Sequence, residues 1–519
     1  MFKLNARPDR ERLVRLLFIL LMLLGVAVRA WRFGAVPGGI NQDEAFAGYE
    51  AYSLLHYGVD SSGHSFPVYF TAWGSGMNAL GPYLMLPFIA LFGLETWAIR
   101  LPQLIVACLT LWAVFALMRR LAGDRAALLA LLMLAVCPWH IYLSRWGLES
   151  NLAPGFLIFG LYFFVRGLEN ERFLPPAALM YGLSLYAYAV LWTVMPLILL
   201  LQIGCGLYCK KLRFSWSFIA AGLIFLLLAL PLFMFLLVNL GVMEEFRIGP
   251  VSIPRLVVLR SNEISLSNIG ANAKALLKLF AEMTGGMPLS YGGSRGLFSV
   301  CTLPFFFIGL GLCAVRGLRG LKRRELNGGA LVLIQLLAAL VLGLLTVINE
   351  TRFNCAYIPM LLTAALGLDF VCGLTRRRAA AAAAAGAYLL HFVFFTGFYF
   401  GRYPELTRWG FAVGLEEALE LAETAEGTIY LDSGIYYSDV LFYTAEPVDE
   451  YLATVEYSNY PSAFLDVASF GRYVFGFDAS QPDPEGAYIF FTGAEAEGLL
   501  QSAGYELTEH GVYTLAMPS

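Results

Sequence analysis

Charge is scarce in this sequence. Only 14% of its 519 residues are Asp, Glu, Lys or Arg, against about 25% in soluble domains. That shortage excludes a soluble enzyme, a disordered chain and a nucleic-acid binder with a basic face. Cysteine is sparse as well: there are 8, all in or beside apolar runs and none after Cys372, which argues against a disulfide framework. Cys205 and Cys209 have helix-face spacing but no nearby His or carboxylate to complete a metal site, so they read as ordinary membrane cysteines. Basic residues nearly vanish from the end of the chain. Residues 401–519 hold three Arg, no Lys and twenty Asp and Glu, a net −17, so residues 1–400 carry +14. What fills the rest is apolar: 59% hydrophobic residues and a mean hydropathy of +0.67. The chain reads as a basic, polytopic membrane body with an acidic soluble tail.

A membrane helix needs about 20 apolar residues. Runs that fit lie near 13–31, 99–118, 125–143, 152–167, 174–190, 191–209, 215–239, 298–315, 328–348, 355–373 and 379–400, eleven in all. The first follows Lys3, Arg7, Arg10, Arg12 and Arg15 without a convincing cleavage site, the pattern of an uncleaved signal anchor. The run 82–93 is too short to span and reads as an interfacial helix. Basic clusters at 3–15, 119–125, 166–172, 210–213, 316–324 and 376–378 all fall on one side of an eleven-span arrangement. The positive-inside rule makes that side, and the N-terminus, cytoplasmic. Segments 32–98, 144–151, 240–297, 349–354 and 401–519 then lie outside.

The tail mixes patterns. Glu416–Thr424 and Glu495–Ala503 have helical spacing, Thr428–Leu431 and Tyr488–Phe491 read as buried strands, and Tyr505–Leu507 with Val512–Ala516 reads as a closing hairpin. A small α/β domain over 401–519 follows, either shaping acceptor access or capping the outer face. Its acidity argues against gripping polyanions. In the loop 240–297, Ala271–Thr284 reads as an amphipathic helix carrying Lys274 and Lys278.

Charges at the membrane edge are costly and therefore functional candidates. Asn41-Gln42-Asp43-Glu44 follows the first span. Adjacent carboxylates there suit a general base on an incoming hydroxyl, although Asp followed by Glu-Ala-Phe-Ala is also a good helix start. Ser144-Arg145 with Glu149 supplies a cation whose fork matches phosphate oxygens, or an interfacial anchor beside Trp146. Asn349-Glu350-Thr351-Arg352-Phe353-Asn354 supplies a second cation, or an Arg352–Glu350 pair. Arg295, in the turn Tyr291–Gly296, is a further candidate for phosphate. His56, His64 and Asp60 do not make a convincing zinc site. Taken together, a carboxylate pair and two arginines at one face suit transfer from a lipid phosphate to a hydroxyl.

The chain resembles the membrane-embedded GT-C glycosyltransferases of the protein O-mannosyltransferase / aminoarabinose-transferase type. The residues that carry the resemblance are Asp43-Glu44 with Ala45-Phe46-Ala47-Gly48-Tyr49, then Gly93–Pro102 (GLETWAIRLP), Ser144-Arg145 with Glu149, and Arg352-Phe353 before Tyr357-Ile358-Pro359. It covers about residues 13–400. The resemblance implies a GT-C transmembrane domain over 1–400 with a catalytic first outer loop, a polyprenyl-phosphate-linked sugar donor, and inversion at the anomeric carbon. It implies Asp43 as base, Glu44 organising the acceptor side, Arg145 and Arg352 on the donor phosphate, and Glu149, Glu350, Asn354 and Arg295 in support. No cofactor or metal is expected. Partners are the lipid bilayer, the donor and a hydroxyl acceptor on protein, glycolipid or wall glycan.

Two departures matter. Where the aminoarabinose-transferase branch has Lys-Pro-Pro-Leu, this chain reads Asn78-Ala79-Leu80-Gly81-Pro82-Tyr83, with no Lys. Where the O-mannosyltransferase branch favours Asp, Glu149 stands. A polysaccharide ligase or polymerase, and a lipid-linked-sugar transporter, are the alternative readings. The transporter reading lacks repeated halves and mid-membrane charges.

Overall fold

The computed structural model describes residues 8–259, 268–282, 296–347, 349–374 and 377–518. Its helices in chain order are α1 (Pro8–Ala30), α2 (Gln42–Tyr57), α3 (Leu80–Phe92), α4 (Thr96–Ala122), α5 (Asp124–Ala135), α6 (Pro138–Leu143), α7 (Ala153–Glu169), α8 (Leu174–Ala187), α9 (Leu191–Tyr208), α10 (Trp216–Asn239), α11 (Ile269–Glu282), α12 (Thr302–Lys322), α13 (Gly328–Leu345), α14 (Tyr357–Leu374) and α15 (Arg377–Gly401). Every apolar run has its helix. Among the described residues, nine helices are long and apolar enough to cross a membrane. The runs 125–143 and 174–190 fall short of that for local reasons. Pro138 cannot continue a helix from α5, so the chain turns at Val136–Cys137 and restarts as α6. The other run ends at Ala187, where Tyr188 turns extended. The run 82–93 is the 13-residue α3, packed against α2, α4 and α8.

Burial separates the helices by role. In α7 and α14, 78% of the most apolar window is buried; in α10 it is 17% and in α15 11%. The first pair forms the bundle interior and the second pair offers its side chains to lipid. The tightest crossing joins α12 to α14. A Cβ on Gly309 would lie 1.9 Å from the Thr363 carbonyl oxygen, and one on Gly367 2.0 Å from that of Phe305. Glycine at both positions lets the backbones touch.

Outside the bundle, a hairpin of β1 (Tyr69–Phe70) and β2 (Met77–Asn78) shapes the loop before α3. A second hairpin, β3 (Phe246–Ile248) with β4 (Val251–Ile253), straps onto that loop: Val68 N donates to Ser252 O and Ser252 N to Ser65 O.

The tail begins with α16 (Tyr403–Leu406) and α17 (Leu415–Ala422). After them come β5 (Ile429–Leu431), α18 (Tyr437–Thr444), α19 (Val448–Thr454), β6 (Glu456–Tyr457), β7 (Val467–Phe470), β8 (Tyr473–Phe475), β9 (Ala487–Phe491), α20 (Ala496–Ser502), β10 (Glu506–His510) and β11 (Tyr513–Met517). One sheet has the order β10-β11-β9-β5-β8-β7-β6; β5 runs parallel to β8 and β9, and the other pairs are antiparallel. Its core continues into the first loop. Ile40, Phe46, Tyr49 and Ile99 pack in one cluster with Leu415, Leu431, Phe442 and Leu515. At the centre of that contact Gly48 admits the Phe442 ring, which would lie 2.7 Å from a Cβ there.

Candidate active site

The start of α2 sorts two adjacent carboxylates into different jobs. The helix is capped by Asn41, not Asp43: Asn41 Oδ1 accepts from Asp43 N (3.2 Å), and Glu44 Oε1 accepts from Asn41 N (3.1 Å), closing a capping box. Glu44 is fully buried. Its carboxylate takes the Arg100 guanidinium in a two-pronged pair, with Nε–Oε2 at 2.9 Å and Nη2 on Oε1, and also accepts from Gly147 N at 2.7 Å. Arg100 completes its set on the carbonyls of Pro37 (2.9 Å) and Gly39 (2.8 Å). Glu44 therefore ties α2, α4 and the 144–151 loop together, and an acceptor-organising role gives way to this clamp. Arg100 sits inside the quoted GLETWAIRLP run but was not read as functional; a lone Arg entering an apolar helix was the available signal.

Asp43, one residue earlier, is half-buried and lines two cavities. The smaller, about 220 Å³, also contains Glu149, Asn349 and Arg352, with Asn78 and Tyr188. Three sequence-stretches spread over about three hundred residues thus converge. Glu149 accepts a hydrogen bond from Asn78 N. Arg352 is held at its backbone by Asn349 Oδ1 (2.8 Å), and its Nη1 reaches Val347 O (3.1 Å). Three lining residues carry buried polar atoms without a partner among the described residues: Asn78 Oδ1, Trp146 Nε1 and Ser150 Oγ. Orphans of this kind are costly unless a ligand or water meets them.

The remaining candidates do not enter this cavity as expected. Arg145 is 1% exposed. Its guanidinium donates to the carbonyls of Val28 (3.3 Å), Arg29, Arg32 (2.9 Å) and Val36 (3.0 Å), capping the C-terminal end of α1. That corrects its reading as the donor-phosphate cation: its donors are occupied by backbone. Glu350 and Asn354 are buried behind the cavity, and Asn354 Nδ2 ties to Ser150 O at 2.7 Å. Arg295 lies outside the described residues. His56 stacks on Tyr52 while His64 lies against Asp60, so the two rings serve separate contacts.

The larger cavity, about 560 Å³, lies between the first loop and the tail. Next to it, in the first turn of α18, Asp439 is buried. Burial pushes its carboxyl well above the usual range; the Ser438 hydroxyl works against this, and Glu44 and Asp43 add to it.

A family model described as dolichyl-phosphate-mannose-protein mannosyltransferase matches residues 79–235. ArnT from Cupriavidus metallidurans in the apo state superposes with a TM-score of 0.59 at 13% identity, covering 97% of this chain and 98% of that one. The same protein bound to undecaprenyl phosphate gives 0.56 at 13% identity, over 99% of each chain. The chain shares the fold of ArnT over nearly its whole length, and residues 79–235 are similar to the mannosyltransferase family. No curated protein sequence matches it significantly. The tail, which shares a core with the first loop, lies within the span aligned to ArnT.

Proposed function

We propose that this chain is a GT-C glycosyltransferase of the O-mannosyltransferase / ArnT type that moves a single sugar from a polyprenyl-phosphate donor to a hydroxyl acceptor on the extracytoplasmic side, with inversion. The observation that carries the reading is the position of Asp43, on the wall of both cavities, with Arg352 in the smaller one. The acceptor hydroxyl enters from the larger cavity and loses its proton to the Asp43 carboxylate. Its oxygen bonds to the anomeric carbon as the bond from that carbon to the phosphate oxygen breaks. The electron pair leaves on the polyprenyl phosphate, where Arg352 meets the growing negative charge. Glu149, anchored on Asn78 N, holds the sugar side of the cavity.

Two features support a lipid donor. ArnT binds undecaprenyl phosphate in one of its structures. In this chain an apolar cavity of about 320 Å³ between α11, α12 and α13 is lined by Phe280, Phe306 and Phe353, and Phe353 adjoins Arg352. It offers a polyprenyl chain a surface next to the phosphate.

The test is transfer from a panel of radiolabelled polyprenyl-phosphate monosaccharides to native membranes. Asp43→Asn should lower the rate by about 10²–10⁴-fold, the usual worth of a general base, in a protein that still purifies as a single species. Undiminished transfer by that variant would remove Asp43 from the role.

A further inference from the structure

The tail presents the ligand-binding end of its sheet to Asp43. Open α/β sheets bind ligands in the crevice beyond the carboxyl ends of parallel strands, where strand order reverses. Here β5 lies between two parallel neighbours, β8 and β9: the chain leaves β5 for the β6 edge, returns through β7 to β8, then crosses β5 in the other direction to reach β9. The 560 Å³ cavity opens at that end. It is lined by Ser433 and Gly434 just after β5, and by Phe475 closing β8. A turn holds this loop, with Gly434 N donating to Asp432 Oδ1 at 2.9 Å.

The facing wall comes from the first loop. Trp73 stands edge-on to Tyr437 (5.0 Å) and Tyr436 (5.9 Å). Its backbone has φ +58°, a costly conformation for a tryptophan, and its buried Nε1 has no partner among the described residues. Tyr436 and Phe464 leave 48% and 57% of their surface exposed. Asp43 and Asp466 line the same cavity as these rings. Among the described residues, no Lys, Arg or His lines the cavity.

We infer that this crevice binds the acceptor, and that the acceptor is a neutral glycan whose reacting hydroxyl is delivered to Asp43. The inference rests on the transfer reading above. Aromatic faces take the apolar C–H face of a sugar ring, and carboxylates and the indole N–H take its hydroxyls. A volume of this size is within the range of about 300–1,000 Å³ for ligand sites. The acidic lining, within a tail of net −17, repels a phosphorylated acceptor. At this wall the backbone is already paired, because Leu465 N donates to Trp73 O and Gly74 bridges Phe464, which leaves a peptide no strand to extend there.

The test uses the full-length protein in detergent and three defined probes: neutral hexasaccharides of mannose, glucose and arabinose; a Ser/Thr-rich hexapeptide; and glucose 6-phosphate. Binding is read by calorimetry and tryptophan fluorescence, in parallel with binding of polyprenyl phosphate. A neutral hexasaccharide should bind. Tyr436→Ala and Asp466→Ala should each weaken it about tenfold or more, while the affinity for polyprenyl phosphate holds. Failure of every hexasaccharide in protein that still binds polyprenyl phosphate overturns the inference, as does preference for the peptide or the phosphosugar. The transfer reading fails differently, by loss of donor binding in wild type or by transfer that survives Asp43→Asn.

Discussion

Asp43 and Glu44 are neighbours with opposite consequences when replaced. Glu44 is a fully buried partner of Arg100 with every oxygen in use. Glu44→Ala strands a buried guanidinium, and such breaks cost about 3–5 kcal/mol. The variant should melt far lower than wild type, and Glu44→Leu with Arg100→Met should recover much of the loss, because removing both charges is often near neutral. A double variant no more stable than Glu44→Ala would contradict that account. Asp439 makes a pH prediction. Its folded pKa is raised by burial, so the folded state holds a proton that the unfolded state releases. The stability it contributes is therefore present below the ordinary carboxylate pKa and is lost as pH rises. Asp439→Asn should raise the melting temperature at about pH 8 and change it little at about pH 4.

At the scale of elements, periodicity and turn chemistry were readable, and long-range partners were not. The strands at 428–431 and 488–491, the helix at 495–503 and the closing hairpin all appear as β5, β9, α20 and β10–β11, because each is declared by its own residues. β6, β7 and β8 were missed: they are two to four residues long, so alternation has little room to show. The same division holds in the site. Asp43, Glu149 and Arg352 were legible as charges at the membrane edge, and they do share a cavity. Arg145 looked equivalent, but its partners are carbonyls more than a hundred residues away, which no local pattern reveals. The α12–α14 crossing gives a direct test. Gly309→Ala forces the backbones apart and should cost about 1–3 kcal/mol, as overpacking does. Gly311→Ala, with nothing within 4 Å of its Cβ, is the control. Equal melting temperatures for the two would show that the contact bears no load.

Across the whole molecule, the main core outside the bundle is built jointly from the first loop and the tail. A chain ending at residue 400 leaves Phe46, Tyr49 and Ile99 without Leu415, Phe442 and Leu515. It should aggregate or be degraded, which size-exclusion chromatography in detergent will show. A monodisperse truncated protein would mean that the first loop folds without the tail. The shared core also sets a schedule for biogenesis. Residues 40–99 leave the ribosome about 300 residues before the strands that cover them. At roughly 5–20 residues per second that interval is about 15–60 s. Throughout it the Asp43 loop is a half-finished surface, so quality control that watches this protein being made has its clearest substrate in the first loop.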